Sequence, residues 1–151
     1  MKYRIRQSVM ADEKRIRELY TEMLQTVYRT ENVETYKDGD LDRFRAGDEN
    51  RIFVAEDRTV VGFLSLEVHH ENEDYIYLDD FVVTAEYRNK GIGSALLKSA
   101  ESYAREINTL KLCLHVEKTN LSAMHFYENS GYAIYRDDGH RFLMNKELLS
   151  K

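Results

Sequence analysis

A chain of 151 residues, 42% hydrophobic and 32% charged, is long enough for one domain that buries its own core. Its net charge of −5 gives no general attraction for nucleic acid, and no apolar run approaches the length that crosses a membrane. The single cysteine, Cys113, excludes an internal disulfide. With no signal-peptide pattern at the N-terminus, the expected location is a reducing cytoplasm.

Residues 3–9 alternate roughly and read as a first strand. From Asp12 the apolar positions Ile16, Leu19, Tyr20, Met23, Leu24 and Val27 form one helical face, with Asp12 and Glu13 suited to the first turn. The pattern breaks around residues 30–34, and a short second helix is expected over 41–46, stopped by Gly47. Residues 51–56 and 59–69 read as strands joined by a tight turn at Asp57-Arg58. Residues 75–83, dense in aromatic and β-branched side chains, read as a central strand. The three suggest an antiparallel meander.

A helix follows from Ile92, then a strand over 111–116. A helix over 121–129 is capped by Asn120 and ended by Gly131. Residues 133–136 and 141–145 pair as a hairpin whose Asp138-Gly139 turn signals type I′. The order is β-α-α-β-β-β-α-β-α-β-β. A helix between the fourth and fifth strands favours a parallel pair there, so the expected class is α/β with a mixed sheet and helices on both faces.

Leu78 to Ser94 is the stretch on which the chemistry turns. Gly91 and Gly93 fall at the start of a helix, where free backbone N–H groups and the helix dipole favour an anion. Glycine lets that backbone approach a phosphate closely, and Arg88 and Lys90 add positive charge. The stretch reads as a pyrophosphate cradle. It is not a Walker A loop, and Leu96 occupies the place of the third glycine of a dinucleotide fingerprint.

Arg88-x-x-Gly91-x-Gly93 after Phe81-Val82-Val83 resembles the acyl-CoA signature of the GNAT N-acetyltransferase superfamily. A second stretch, from Asn120 through Ala123, Phe126 and Tyr127 to Gly131 and Tyr132, resembles the family's Asn-x-x-Ala-x-x-Phe-Tyr-x-x-x-Gly-Phe/Tyr element. Ala85 stands where many members carry proline. The resemblance covers nearly the whole chain. It implies a single domain, 1–151, with a mixed seven-stranded sheet, about four helices, and fourth and fifth strands that splay apart. It further implies acetyl-CoA as co-substrate and a primary amine as acceptor.

By the same resemblance, backbone groups of Phe81, Val82 and Val83 pair with the pantetheine arm, as an added strand would. The pyrophosphate lies over Arg88, Asn89, Lys90, Gly91, Ile92, Gly93 and Ser94. Asn120 hydrogen-bonds the pantetheine, and Tyr127 points at the thioester sulfur. A tyrosine of pKa ~10 is protonated at neutral pH and donates to the leaving thiolate. For the base, strand alternation sends Asp79 and Asp80 to opposite faces. Diamine acetyltransferases tend to carry an acidic pair here, which favours Asp79, directly or through water. Asp80 is the alternative, with a structural pairing to a helix arginine as its competing role. Tyr77 and Glu67 stand behind both.

The acceptor follows from charge. Between Glu67 and Asp80 stand six acids (Glu67, Glu71, Glu73, Asp74, Asp79, Asp80) and no lysine or arginine, and Glu31 and Glu34 follow the first helix. Such a cluster draws cations, so the expected substrate is a small cationic amine, such as a polyamine or an aminoglycoside-like amine. Two alternatives remain: a protein or peptide N-acetyltransferase, and an acyl-CoA-binding sensor without turnover. No metal is expected, because His69 and His70 point to opposite faces of a strand. His115 and His125 read as structural, and Cys113 lacks a neighbouring base in sequence. Neither nucleic acid nor a membrane is an expected partner. The family resemblance allows a homodimer, with the alternating last strand as the candidate edge.

Overall fold

The computed structural model describes residues 2–44 and 48–149. Among the described residues seven strands and three α-helices follow in the order β1 (Arg4–Gln7), α1 (Glu13–Tyr28), β2 (Arg51–Asp57), β3 (Thr59–His69), β4 (Tyr75–Val83), α2 (Ile92–Glu106), β5 (Lys111–Glu117), α3 (Leu121–Asn129), β6 (Ala133–Asp137) and β7 (Arg141–Glu147). The strands form one sheet in the order β1-β2-β3-β4-β5-β7-β6. Among the described residues no helix is long and apolar enough to cross a membrane.

The chain clusters into two compact units, and β3, β4 and α2 each run from one into the other. The first comprises Met1–Leu66 and Asp80–Ala100. Its core buries Ile16 and Leu19 of α1 with Ile52, Val54, Phe63 and Val82 of the strands. The spacing of three between Ile16 and Leu19 keeps both on one helical face. Arg6 grips both oxygens of Asp12 at 2.7 and 2.9 Å, and Asp12 also accepts the Val9 N–H at 2.8 Å, which fixes the entry to α1. These bonds hold the Asp12 carboxyl below the usual carboxylate range. At the other end Arg29, with φ 53°, ends the helix in a left-handed cap.

The expected helix over 41–46 is one 3₁₀ turn, Asp42–Phe44; residues 45–47 lie outside the described residues. Leu41 and Phe44 are three apart and both buried, so a single tight turn suffices to bury the segment's apolar side chains. Among the described residues three α-helices flank the sheet.

β1, β2 and β3 pair antiparallel. β3 and β4 do so as well: the Thr84 N–H donates to Val61 O at 2.9 Å, and the Asp80 N–H to Ser65 Oγ at 2.9 Å, so the partner number falls as the residue number rises. Gly62 is required in this ladder, since a Cβ there would lie 3.0 Å from Val82 O and 3.3 Å from Val83 Cγ2.

The second unit comprises Glu67–Asp79 and Glu101–Lys151. Here β4 and β5 pair parallel, as the intervening helix requires, through Ile76↔Leu112 and Tyr77↔Cys113. β7 pairs with β5 along its whole length, and β6 pairs only with β7, so the last strand is interior and β6 is the edge. This corrects the expectation that the chain's final strand is the edge. β7 carries the buried Met144, whereas every residue of β6 is exposed; burial, not chain order, chose the inner strand. The β6–β7 connection also differs from type I′. It spans three residues, 138–140, and only Gly139 (φ 91°) is left-handed, whereas type I′ needs two such residues.

Candidate active site

In the first unit, β4 runs through Phe81, Val82 and Val83 into the 3₁₀ turn Ala85–Tyr87 and the glycine stretch. Arg88 is extended, Asn89 (φ 60°) and Gly91 (φ 84°) are left-handed, and α2 begins at Ile92. Asn89 and Gly91 thus lead the chain into the N-terminus of α2, an end whose N–H groups and dipole suit an anion. The Ala95 N–H donates to Gly91 O at 3.0 Å, so Gly91 caps the helix and the N–H groups of Ile92, Gly93 and Ser94 have no intrahelical acceptor. The exposed Arg88 folds its Nε back onto Val83 O at 3.1 Å, tying the end of β4 to the start of the cradle. Lys90, Gly91 and Ser94 are exposed, and Ile92 is buried beneath them.

The two aspartates separate as strand alternation requires. Asp80 is half-buried; it accepts the Tyr36 phenol proton in a short hydrogen bond, and Tyr36 stacks on Tyr20 at 4.2 Å. Asp79 is exposed, on the β4 face that also bears Tyr75 and Tyr77.

In the second unit, Asn120 caps α3 by accepting the Ala123 N–H at 3.2 Å, which leaves its amide N–H groups available as donors. Gly131 (φ 97°) ends the helix, and Tyr132 N–H returns to Tyr127 O at 3.0 Å. The Tyr127 ring packs edge-on against Phe126 and Tyr132, with centroids 5.3 and 6.2 Å apart. Burial pushes its phenol up to about 12, so it is protonated at neutral pH.

A cavity of about 270 Å³ is lined by Tyr75 and Tyr77 of β4, Cys113 and His115 of β5, Tyr135 of β6 and Asn145 of β7, among others. In it the Tyr77 phenol oxygen stands 2.6 Å from His115 Nδ1, and His115 Nε2 stands 2.8 Å from Asp138 Oδ2. Arg136 binds both oxygens of Asp138 at 2.6 and 3.1 Å. The bonds from Arg136 and His115 hold the Asp138 carboxyl well below the usual carboxylate range. A carboxylate only accepts, so it fixes the imidazole proton on Nε2 and leaves Nδ1 to accept from Tyr77. Burial, then the charge of Asp79, pushes the Tyr77 phenol up to about 12, and burial pushes the Cys113 thiol up to about 11. Cys113 is thus a thiol at neutral pH, not a nucleophile.

The acidic run between β3 and β4 is largely engaged. Glu73 meets Lys111 at 3.4 Å, Asp74 meets His70 at 2.7 Å, and Glu67 meets His69 at 3.5 Å. Lys111 and Arg136 also line the cavity. The wall therefore carries both signs of charge and three tyrosine rings, rather than the uniformly acidic surface that the sequence suggests.

Comparison with known proteins decides the family. Residues 14–132 match the model of the acetyltransferase (GNAT) family. The chain belongs to the GNAT family. Streptothricin acetyltransferase A of Bacillus subtilis is 28% identical over 102 residues, 66% of this chain and 57% of that protein. Spermidine N(1)-acetyltransferase of Thermoplasma acidophilum is 30% identical over 94 residues, 62% of this chain and 56% of that protein. The matches thus span little more than half the length of these curated relatives. The fold extends further. The PaiA N-acetyltransferase of Thermoplasma acidophilum, solved with coenzyme A, superposes with a TM-score of 0.81 at 22% identity, over 98% of this chain and all of that one. The NatC complex, solved with a Gag peptide and CoA, gives 0.76 at 17% identity, over 99% of this chain and all of that one.

In this GNAT chain the local motifs were legible in advance, and the hydrogen-bonded chain through Tyr77, His115 and Asp138 was not. His115 read as structural because nothing in one dimension brings it to Tyr77. The available signal was parity: Tyr77 and Cys113 face each other in the ladder, and His115 shares a face with Cys113.

Proposed function

We propose that this chain transfers an acetyl group from acetyl-CoA to the primary amine of a small cationic molecule. The observation that carries the reading is the left-handed cradle at Asn89 and Gly91, which opens α2 directly after β4. A phosphate-bearing cofactor suits the free N–H groups of such a terminus. The Phe81 to Val83 backbone, at the end of β4 and just before the turn that leads into α2, is the candidate pantetheine partner. Arg88, Lys90 and the backbone from Gly91 to Ser94 would hold the pyrophosphate, and the Asn120 amide would donate to the pantetheine.

The amine attacks the thioester carbonyl once it has lost a proton to Asp79, directly or through water. Tyr127 would meet the developing thiolate. With its phenol at about 12 and a thiol near ~8.5, the proton prefers to stay on oxygen. Tyr127 therefore acts as a hydrogen-bond donor to sulfur, stabilising the leaving group as charge develops there.

The cationic-amine reading draws support from three sources: the exposed Asp79, the tyrosine rings of the about 270 Å³ cavity, and the relatives named for spermidine and streptothricin. Tyrosine faces attract an ammonium by about 0.5–2 kcal/mol. The engaged state of Glu73 and Asp74 places more of that attraction on the rings and Asp79 than on the β3–β4 acids.

Acetyl-CoA-dependent thiol release against polyamines, aminoglycosides, amino acids and short basic peptides tests the reading. Turnover of a small cationic amine is the expected result. Turnover of peptides alone would overturn the acceptor class, and CoA binding without transfer to any amine would make the chain a sensor.

A further inference from the structure

Lys111 presents, in the wall of the about 270 Å³ cavity, the same chemical group that the proposed acceptor carries, a primary ammonium. We propose that Lys111 is a built-in competitor for the acceptor: its ammonium fills a cation subsite, made by the Glu73 carboxylate and the Tyr135 ring, that takes the second ammonium of a diamine or polyamine. The inference rests on the acetyltransferase reading and deepens it by naming an acceptor with two or more ammonium groups.

Three features of the site support it. Lys111 Nζ stands 3.4 Å from each Glu73 oxygen and 4.9 Å from the centre of the Tyr135 ring, so one ammonium meets a carboxylate and an aromatic face together. The hold is loose: Lys118, by contrast, meets Asp137 at 2.7 Å, the length of a close charge-assisted bond. The Lys111 side chain is 18% exposed and that of Glu73 62%, so the lysine stem is covered while the carboxylate is open to a ligand from solvent. Second, Tyr135 is aimed by a bulge. The β6–β7 register shifts between Ile134 and Arg136, which turns the residue between them away from the regular ladder. Its ring is 59% exposed, so the face that Lys111 covers is within reach of another cation. Third, the field beside the subsite is negative. Burial raises the Tyr75 phenol first, and nearby charges, those of Glu71, Glu73 and Glu67 among them, raise it further.

The position fits an extended acceptor. Leu112 pairs with Ile76, so Lys111 stands beside Tyr75, and Tyr75, Tyr77 and Asp79 share one face of β4. The strand from Tyr75 to Asp79 covers ~13 Å. An amine at Asp79 with a second ammonium at Glu73 and Tyr135 therefore calls for a long flexible chain charged at both ends. Tyr77 lies between the two positions on that face and offers its ring to the methylenes. Lys111 and the distal ammonium of such a chain are alike to the subsite, so exchanging one for the other yields little net affinity. The apparent affinity falls by the fraction of molecules in which Lys111 fills the subsite. Lys111 thus acts on acceptor choice and takes no part in the chemical step.

The test compares two acceptors of equal length, a linear terminal diamine and the same chain with a hydroxyl in place of one amine. Acetyl transfer and isothermal titration are measured for the wild type, Lys111→Met, Lys111→Arg, and Lys111→Met combined with Glu73→Gln. Methionine keeps the apolar stem and removes the competitor. Lys111→Met is expected to lower the KM of the diamine roughly tenfold relative to the amino alcohol, with kcat within about twofold of wild type. Lys111→Arg keeps a cation in the subsite and should leave the ratio near that of the wild type. Adding Glu73→Gln to Lys111→Met should abolish the gain, because the site goes with the carboxylate. A ratio within about twofold of wild type in Lys111→Met, or a gain that survives the loss of Glu73, overturns the subsite. An equal gain for both acceptors also overturns it, since that reports only the change in overall charge. Titration yields the same ratio without turnover. A wild type that acetylates no amine therefore overturns the reading beneath, while the binding ratio by itself decides the subsite.

Discussion

The Tyr132 phenol donates to Glu101 Oε2 at 3.0 Å inside the protein, and Lys146 Nζ meets the same carboxylate at 3.1 and 3.2 Å. Glu101 is 8% exposed and Tyr132 3%. Burial, and then the Glu101 charge, raise the Tyr132 phenol far above its ordinary value. Lys146 also donates to Ser130 O at 2.9 Å, just past α3, so one cation fastens the end of the helix that carries Tyr127.

Removal of that cation leaves a buried carboxylate uncompensated. Lys146→Ala is expected to lower stability by about 3 kcal/mol. For a chain of this size that corresponds to a fall in Tm of roughly 6–12 °C. Glu101→Gln combined with Lys146→Met removes both charges and should recover most of the loss. Thermal melts of the three variants by circular dichroism check this; equal melts for the single and double variants would refute it.

Tyr127→Phe keeps the ring and its edge-on packing against Phe126 and Tyr132 while deleting the donor. The expected result is a fall in kcat of roughly 10²-fold with CoA affinity nearly unchanged. Isothermal titration with CoA, paired with thiol-release kinetics, separates this outcome from a general loss of binding.

Gly62→Ala tests how the end of β4 is held. The new Cβ would stand 3.0 Å from Val82 O, a backbone atom that cannot swing away. Overpacking of this kind costs about 1–3 kcal/mol, and the displaced residues, Val82 and Val83, are the proposed partners of the pantetheine arm. The variant should therefore melt earlier and bind CoA more weakly; a lower Tm with unchanged CoA affinity would detach that segment from cofactor binding.

Stability should decline on the alkaline side. The phenols of Tyr77 and Tyr127 are pushed up to about 12 and the Cys113 thiol up to about 11 in the folded protein. A raised value means that the folded state binds the proton more tightly than the unfolded chain. The contribution is thus complete below the unfolded values, ~8.5 for the thiol and ~10 for the phenols, and is lost as pH rises through the folded values. Urea midpoints measured across that window should fall steadily, and Cys113→Ala should remove the lower end of the slope.

Much of the fold was legible because its signals are local. Residues 59–69, 75–83 and 121–129 emerged with the bounds read from alternation, β-branched content and a capping asparagine. The left-handed Gly91 and Gly131 stand where a helix start and a helix end require them. The segment 41–46 misled because Leu41 and Phe44 satisfy one tight turn as well as a helix, and three residues of spacing cannot distinguish them.

The candidate site divides along the same line. Backbone conformation depends on a few neighbouring residues, so the sequence by itself determined the glycine turn that leads into α2, the Asn120 cap, the placement of Tyr127 on α3 and the opposite facing of Asp79 and Asp80. Which distant side chains meet depends on strand order and register, and these follow from the burial of whole faces rather than from any one segment. Only the tertiary structure inserted β7 between β5 and β6, joined Tyr77 to His115 and Asp138, and gave Lys111 and His70 to the acids that the sequence had left free for a substrate.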